Sequence, residues 1–180
     1  MKAMYQKDKY SSPWPLSLRI KKFAWDIVWG GICRPTPKPL NFFRVFIFKL
    51  FGGVASEGVF IHQSARIHFP WNVTLRKRAC LGERVWVYSV GNITIGADAT
   101  VAQETFLCTA THDFKSIKRE LFVGSIHISD GAFIAARVIL LPNTTVGINS
   151  IVGAGSVVTK SIEEGTLYAG NPAQLIRHLI

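Results

Sequence analysis

The sequence predicts an all-β chain, short strands wound coil upon coil into a parallel β-helix, preceded by two helices. Ile128, Ile134, Leu140, Val146, Val152 and Val158 are aliphatic and fall six residues apart. Four residues after each come Ala132, Val138, Thr144, Ser150, Ser156 and Ile162, mostly small. The pair recurs at Ile61/Ala65, Leu75/Ala79, Leu81/Val85 and Ile95/Ala99. The beat also runs through Ile67, Val73, Val87, Ile93, Val101 and Leu107, slipping by two residues at Val73/Leu75 and Ile93/Ile95. A helix of ~3.6 residues per turn cannot hold one residue class in phase over such a run, and plain strand alternation would not single out every third inward position. Self-similarity at a fixed period marks a repeat architecture.

Residues 1–15 are polar and end in Pro13-Trp14-Pro15, an extended lead-in. Leu16, Ile20, Phe23, Ala24 and Ile27 follow at helical spacing, with Arg19, Lys22 and Asp26 on the other side. This predicts an amphipathic helix from Leu16 to Trp29, stopped by Gly30-Gly31. Pro35, Pro37 and Pro39 make a stiff connector to a second helix, Leu40 to Phe51, ended by Gly52-Gly53. Residues 1–50 carry ten Lys/Arg against two Asp, most of the chain's formal net charge of +10. Two roles fit this basic, aromatic-rich segment, 1–53. It caps the open edge of the coils, as repeat proteins require. It also suits a membrane surface, aromatics to the acyl boundary and cations to anionic headgroups. Capping and self-association are favoured over membrane contact, and the two are compatible. Nucleic acid is a poor fit, because the cations sit among large apolar residues and no recognition motif appears.

The β-helix occupies residues 54–162. If three hexads make one turn, about 18 residues wind once around a triangular prism, each coil ~4.8 Å from the next. The aliphatic position fills the prism and the residue four on sits at a crowded corner. Pro142-Asn143 and Gly153-Ala154-Gly155 fall where corners are expected. Leu107 to Ile128 is 21 residues, three more than three hexads, which sets 108–127 apart as a loop. Residues 163–180 leave the beat: Gly170-Asn171-Pro172 reads as a turn and Ala173 to Ile180 as a short terminal helix.

Cys33, Cys80 and Cys108 have neither CxxC spacing nor an even count, which predicts free thiols in a reducing compartment. No secretory signal and no long uncharged apolar run is visible, so a cytoplasmic protein is expected, with a peripheral position at the inner membrane open to it. Five histidines, His62, His68, His112, His127 and His178, form no HxH, HExxH or Cys/His cluster, so no metal is expected.

Three stretches carry a family likeness. Ile93-Thr-Ile-Gly96 and Val146-Gly147 are repeat signatures; Val152-Gly-Ala-Gly-Ser-Val-Val-Thr-Lys160 and Ala169-Gly-Asn-Pro-Ala173 follow. Together they resemble the hexapeptide-repeat acyltransferases over residues 54–178. Leu50-Phe-Gly52, Phe69-Pro-Trp-Asn72 and Leu107-Cys-Thr-Ala-Thr-His-Asp-Phe114 bring the chain nearest to the acetyltransferases of colanic acid and other exopolysaccharide biosynthesis. The resemblance implies a left-handed parallel β-helix, a homotrimer with active sites between subunits, acetyl-CoA as co-substrate and a sugar hydroxyl as acceptor.

By the same resemblance His112 is the general base, since a sugar hydroxyl is a poor nucleophile until an imidazole takes its proton. Asp113, Glu120 or a backbone carbonyl would hold its other nitrogen. Cys108 is better read as a small apolar side chain than as a nucleophile. Ala136, Ala154, Thr159 and Lys160 would line the ridge taking the pantetheine arm. Arg177 would reach the nucleotide phosphates, and a backbone N–H near Ala135 or Ala136 would steady the oxyanion. Where related enzymes carry an acceptor-holding Asn this chain has Gly82, and where the nearest group reads Tyr-Asn it has Tyr88-Ser89. Glu83, Trp86 and Tyr88 are therefore substitute candidates for acceptor binding. Serine, a xenobiotic hydroxyl and a non-catalytic β-helix scaffold are the rival readings.

Overall fold

The structure, a computed structural model, describes residues 14–179 apart from 114–116 and 118. Most of the lead-in expected over 1–15 lies outside the described residues. From Val54 the chain winds around three faces of parallel strands. The first face stacks Val54–Ala55, Val73–Leu75, Ile93–Ile95, Ile126–Ile128 and Thr144–Val146. The second stacks Phe60–Ile61, Cys80–Leu81, Thr100–Val101, Phe133–Ile134, Ile151–Val152 and Thr166–Gly170. The third stacks Arg66–Ile67, Trp86–Tyr88, Phe106–Cys108, Ile139–Leu140 and Val157–Val158. Both halves of the six-residue beat are buried: Ile128, Ile134, Leu140, Val146, Val152 and Val158, and the residues four on from Ala132 to Ile162.

The corners turn on left-handed backbone. Arg78, Asp98, Gly131 and Asn149 between the first and second faces, and Arg84, Glu104, Arg137 and Gly155 between the second and third, have φ from 54° to 71°. Asn143 does the same on the third edge, at 62°. A side chain with a Cβ pays roughly 1–2 kcal/mol for that conformation, so neighbouring coils must enforce it.

Register explains the slips in the beat. Ile126 pairs with Thr144 and Phe133 with Ile151, an advance of 18 residues. Val73 pairs with Ile93 and Cys80 with Thr100, an advance of 20. The longer coils hold the three-residue strands Val73–Leu75 and Ile93–Ile95, whose two ends both point inward. The Leu107–Ile128 gap is not extra coil. Ile93 pairs directly with Ile126, and the intervening chain leaves the prism as an antiparallel hairpin, Ala110–His112 against Leu121–Val123.

The two helices, α1 (Leu16–Val28) and α2 (Asn41–Leu50), close the prism's first coil. Along each parallel strand successive residues turn their backbone groups alternately to the coil after and the coil before; the Phe60 N–H goes forward to Ala79 and the His62 N–H to Leu81, while the Ile126 N–H goes back to Asn92. The first coil has no coil before it, so alternate backbone groups, among them the carbonyls of Val59, Ile61, Ala65 and Ile67, point out of the stack, and the helices supply their partners. The Trp25 indole donates to the Ile67 carbonyl at 2.7 Å and the Trp29 indole to that of Ala65 at 2.8 Å. The Asn41 amide reaches Val59 at 2.8 Å, and Arg44 Nε reaches Ile61 at 3.0 Å. The remaining Arg44 nitrogens reach the Thr36 hydroxyl and the Pro37 and Lys38 carbonyls, tying the proline-rich connector to the same guanidinium.

Two expectations are corrected here. Gly30-Gly31 do not stop α1. The chain continues as a wider π turn, Trp29–Cys33, which keeps Trp25, Trp29 and Cys33 on one buried face. The aliphatic stripe Leu16, Ile20, Phe23, Ile27 faces solvent, while the packed side carries the indole N–H donors that capping carbonyls requires. The C-terminal segment is not a helix. Ala173–His178 is a strand antiparallel to Thr166–Gly170, extending the second face after the expected turn at 170–172. An isolated eight-residue helix is marginal, whereas this edge offers a ready ladder.

The three cysteines are free, and burial pushes the Cys33 thiol up to about 11. No helix among the described residues is long and apolar enough to cross a membrane. Replacing Arg44 by Met orphans the carbonyls it serves. The expected loss is about 3 kcal/mol, seen as a lower urea midpoint for a chain whose circular dichroism in water is unchanged.

Candidate active site

The hairpin is pinned between coils. The Thr109 hydroxyl donates to the Tyr88 carbonyl at 2.7 Å and accepts the Gly91 N–H at 2.8 Å. The Gly124 N–H donates to the Thr109 carbonyl, and Asn143 clasps Ser125 from the coil above through both backbone and side chain. Gly91 and Gly124 meet backbone to backbone, and a Cβ on Gly91 would overlap the Gly124 carbonyl.

His112 ends the outgoing strand with its ring exposed. Its Nδ1 lies 2.7 Å from the Arg119 carbonyl oxygen. A carbonyl only accepts, so Nδ1 carries the proton, and in the neutral ring Nε2 keeps the lone pair. That is the tautomer a general base needs. The backbone carbonyl considered for this nitrogen is in contact with it, supplied by Arg119. Asp113 and Glu120 join through their backbones, the Asp113 N–H donating to the Glu120 carbonyl at 2.9 Å, and so extend the hairpin pairing beyond His112.

Ala135, Ala136 and Ala154 turn the edge between the second and third faces, and Glu83 turns the same edge lower down. Glu83, Ala136 and Ala154, with Gln103, Arg137 and Gly155, line an open groove, and nothing occupies the space beside Gly155. Glu104 accepts from Arg84 and Arg137 at 2.5 Å each across this edge, and those guanidiniums hold its carboxyl below the ordinary range. Thr159 and Lys160 fall on the next edge, the one from which the hairpin leaves. Arg177 lies opposite Leu167 on the final strand. The ridge expected to join Ala136, Ala154, Thr159 and Lys160 is thus divided between two edges of one chain.

Trp86 and Tyr88 project from the third face. Trp86 stacks on Phe106 at 4.6 Å and meets Tyr88 edge-on at 5.9 Å. Cys108 donates to the Ala110 carbonyl at 3.1 Å, and burial pushes its thiol up, away from the nucleophilic thiolate. The two departures from the resemblance have steric causes. A Cβ on Gly82 would stand 2.9 Å from the Val101 carbonyl, leaving no room for Asn. Ser89 is fully buried, its hydroxyl bridging the N–H and carbonyl of Phe69 at 2.9 Å each. Sequence reasoning missed His68, which packs at 4.3 Å on Phe69 and 4.9 Å on Tyr88. Burial, then the Lys22 ammonium, brings it down to about 4, so it is neutral at pH 7.

No family model matches the chain. The fold matches that of the hexapeptide-repeat acetyltransferase VCA0836 of Vibrio cholerae, solved with acetyl coenzyme A, at a TM-score of 0.85 and 20% identity, covering 98% of this chain and 96% of that one. In sequence it is 35% identical over 161 residues to the Escherichia coli (strain K12) protein named colanic acid biosynthesis acetyltransferase WcaF, covering 89% of this chain and 88% of that one. The chain belongs to the hexapeptide-repeat acetyltransferases. Within that family it is also similar to a maltose O-acetyltransferase of Clostridium difficile 630, at 25% identity and a TM-score of 0.82 over 99% of this chain and 93% of that one. As a hexapeptide-repeat acetyltransferase it is an acyl-transfer enzyme, and the hairpin is where its chemistry is to be tested. Gly91→Ala should lower kcat/KM by about tenfold or more through displacement of the hairpin root, while thermal melting shows the prism still folded.

Proposed function

We propose that the enzyme transfers an acetyl group from acetyl-CoA to a sugar hydroxyl in the assembly of an exopolysaccharide, capsule or O-antigen, with His112 as general base. The observation that carries this reading is the Nδ1–H donated to the Arg119 carbonyl, which leaves Nε2 free to accept a proton. The acceptor oxygen attacks the thioester carbonyl carbon as its proton passes to Nε2; the C–S bond breaks, and the imidazolium returns that proton to the departing sulfur. One ester forms for each thioester cleaved, with no acyl group stopping on the protein. The named activities of the relatives support a sugar acceptor.

The division of the expected cofactor residues supports a homotrimer. The groove at Ala136 and Ala154 and the hairpin with His112 occupy different edges of the prism, so a neighbouring copy would complete each site by bringing one edge against another. In that arrangement a backbone N–H at Ala135 or Ala136 steadies the oxyanion, and the small residues of the groove receive the pantetheine arm. Lys160 and Arg177, both exposed, are the cations offered to the phosphates. Trp86 and Tyr88, with Glu83, are offered to the sugar, an exposed indole being a suitable stacking surface.

His112→Ala is expected to lower kcat by about 10²–10⁴-fold in a thiol-release assay, with KM for acetyl-CoA little changed. Undiminished turnover with the true acceptor would refute the assignment. An acceptor screen over sugars, serine and antibiotic hydroxyls should show turnover with a sugar alone.

A further inference from the structure

The capping of the first coil uses only one side of each helix. On α1 the inward side is Trp25 and Trp29, and on α2 it is Arg44 and Phe48, all buried. The opposite sides carry two unbroken aliphatic and aromatic stripes. Leu16, Ile20 and Phe23 lie at successive turns of α1, and Phe42, Phe46 and Leu50 at successive turns of α2. All are far out in solvent, Phe23 being 66% exposed and Phe42 70%. Both inner faces bond to carbonyls of the same coil, Ala65 and Ile67 for α1, Val59 and Ile61 for α2. The outer stripes therefore face the same way, out from the foot of the prism along its axis. A monomeric surface seldom leaves so many large apolar side chains together in water.

Charge selects the occupant. Arg19 and Lys49 are exposed on these helices, and the first 50 residues hold ten Lys/Arg against two Asp. A second copy docking on the stripes would bring the same positive charge against itself, and like charges so placed oppose association. An anionic bilayer supplies both what the stripes lack and what the cations attract. We propose that α1 and α2 form a flat foot that seats the prism upright on an anionic lipid surface. The apolar stripes enter the headgroup–acyl boundary and Arg19 and Lys49 take lipid phosphates, without either helix crossing the bilayer. This inference is independent of the acyl acceptor.

The test is co-sedimentation of the full chain with vesicles of phosphatidylcholine alone and of phosphatidylcholine mixed with phosphatidylglycerol. Binding to the mixed vesicles is expected, falling as salt is raised, with little to the neutral ones. The double variant Phe23→Ser/Phe46→Ser should bind at least about tenfold more weakly, and Arg19→Glu/Lys49→Glu should lose the preference for the anionic lipid. Both variants change only exposed positions, and thermal melting together with thiol release on a soluble acceptor checks that each is folded and active. Wild-type protein left in the supernatant with both vesicles would overturn the proposal. So would equal binding by the double Ser variant, or a double Ser variant that falls apart into smaller oligomers while its vesicle binding is unchanged, which would make the stripes a subunit interface.

Discussion

Successive residues of each parallel strand bond alternately to the coil after and the coil before, and the stack must therefore begin with a layer of carbonyls and N–H groups that no strand can serve. The rest of the N-terminal architecture answers that requirement. The groups that reach the first coil are indole N–H, guanidinium and carboxamide, from Trp25, Trp29, Arg44 and Asn41. Two indoles and a guanidinium are donors with no acceptor of their own, so none brings an unmatched lone pair into the buried layer. The Asn41 oxygen is matched in turn by the Ile61 N–H at 2.9 Å. An open strand edge is thus closed by side chains, and closing it fixes which way both helices face.

The same ladder gives the hairpin its precision. Ile93 pairs with Ile126, Thr100 with Phe133 and Phe106 with Ile139, so all three faces resume their register on the far side of the excursion. Its two ends are held by strands that belong to a continuous core. Within it the imidazole is oriented by main chain, through the Arg119 carbonyl, and a main-chain partner does not vary its protonation near neutral pH. The positioning is therefore mechanical, set by a main-chain oxygen.

What the sequence made legible follows from where side chains carry the pattern. The inward positions of the prism see only one another, so Ile128 through Val158 announce it directly. Coil length was harder to read, since Val73 with Leu75 and Ile93 with Ile95 both point inward and the beat alone cannot say which of each pair to count. Apolar periodicity in α1 picks out Leu16, Ile20, Phe23 and Ile27 but does not reveal the packed side, where the physical demand was for hydrogen-bond donors. Leu175 and Ile176 fit a helix as well as a strand, and only the free edge of Thr166–Gly170 decides for the strand. The partner of His112 has no sequence signature at all, being a carbonyl. The division of the cofactor ridge did have one. With 18 residues to a coil, Thr159 stands five positions beyond Ala154, nearly one full hexad and hence one edge further on.

The excursion between Phe106–Cys108 and Ile126–Ile128 leaves and rejoins neighbouring strands, so the prism does not register how long it is. Closure entropy rises only as the logarithm of loop length, about 0.6 kcal/mol for each doubling. That corner is in effect a socket: the segment plugged into it can be lengthened, shortened or exchanged at small thermodynamic cost to the stack. New acceptor preferences would then evolve there first, on an unchanged spine.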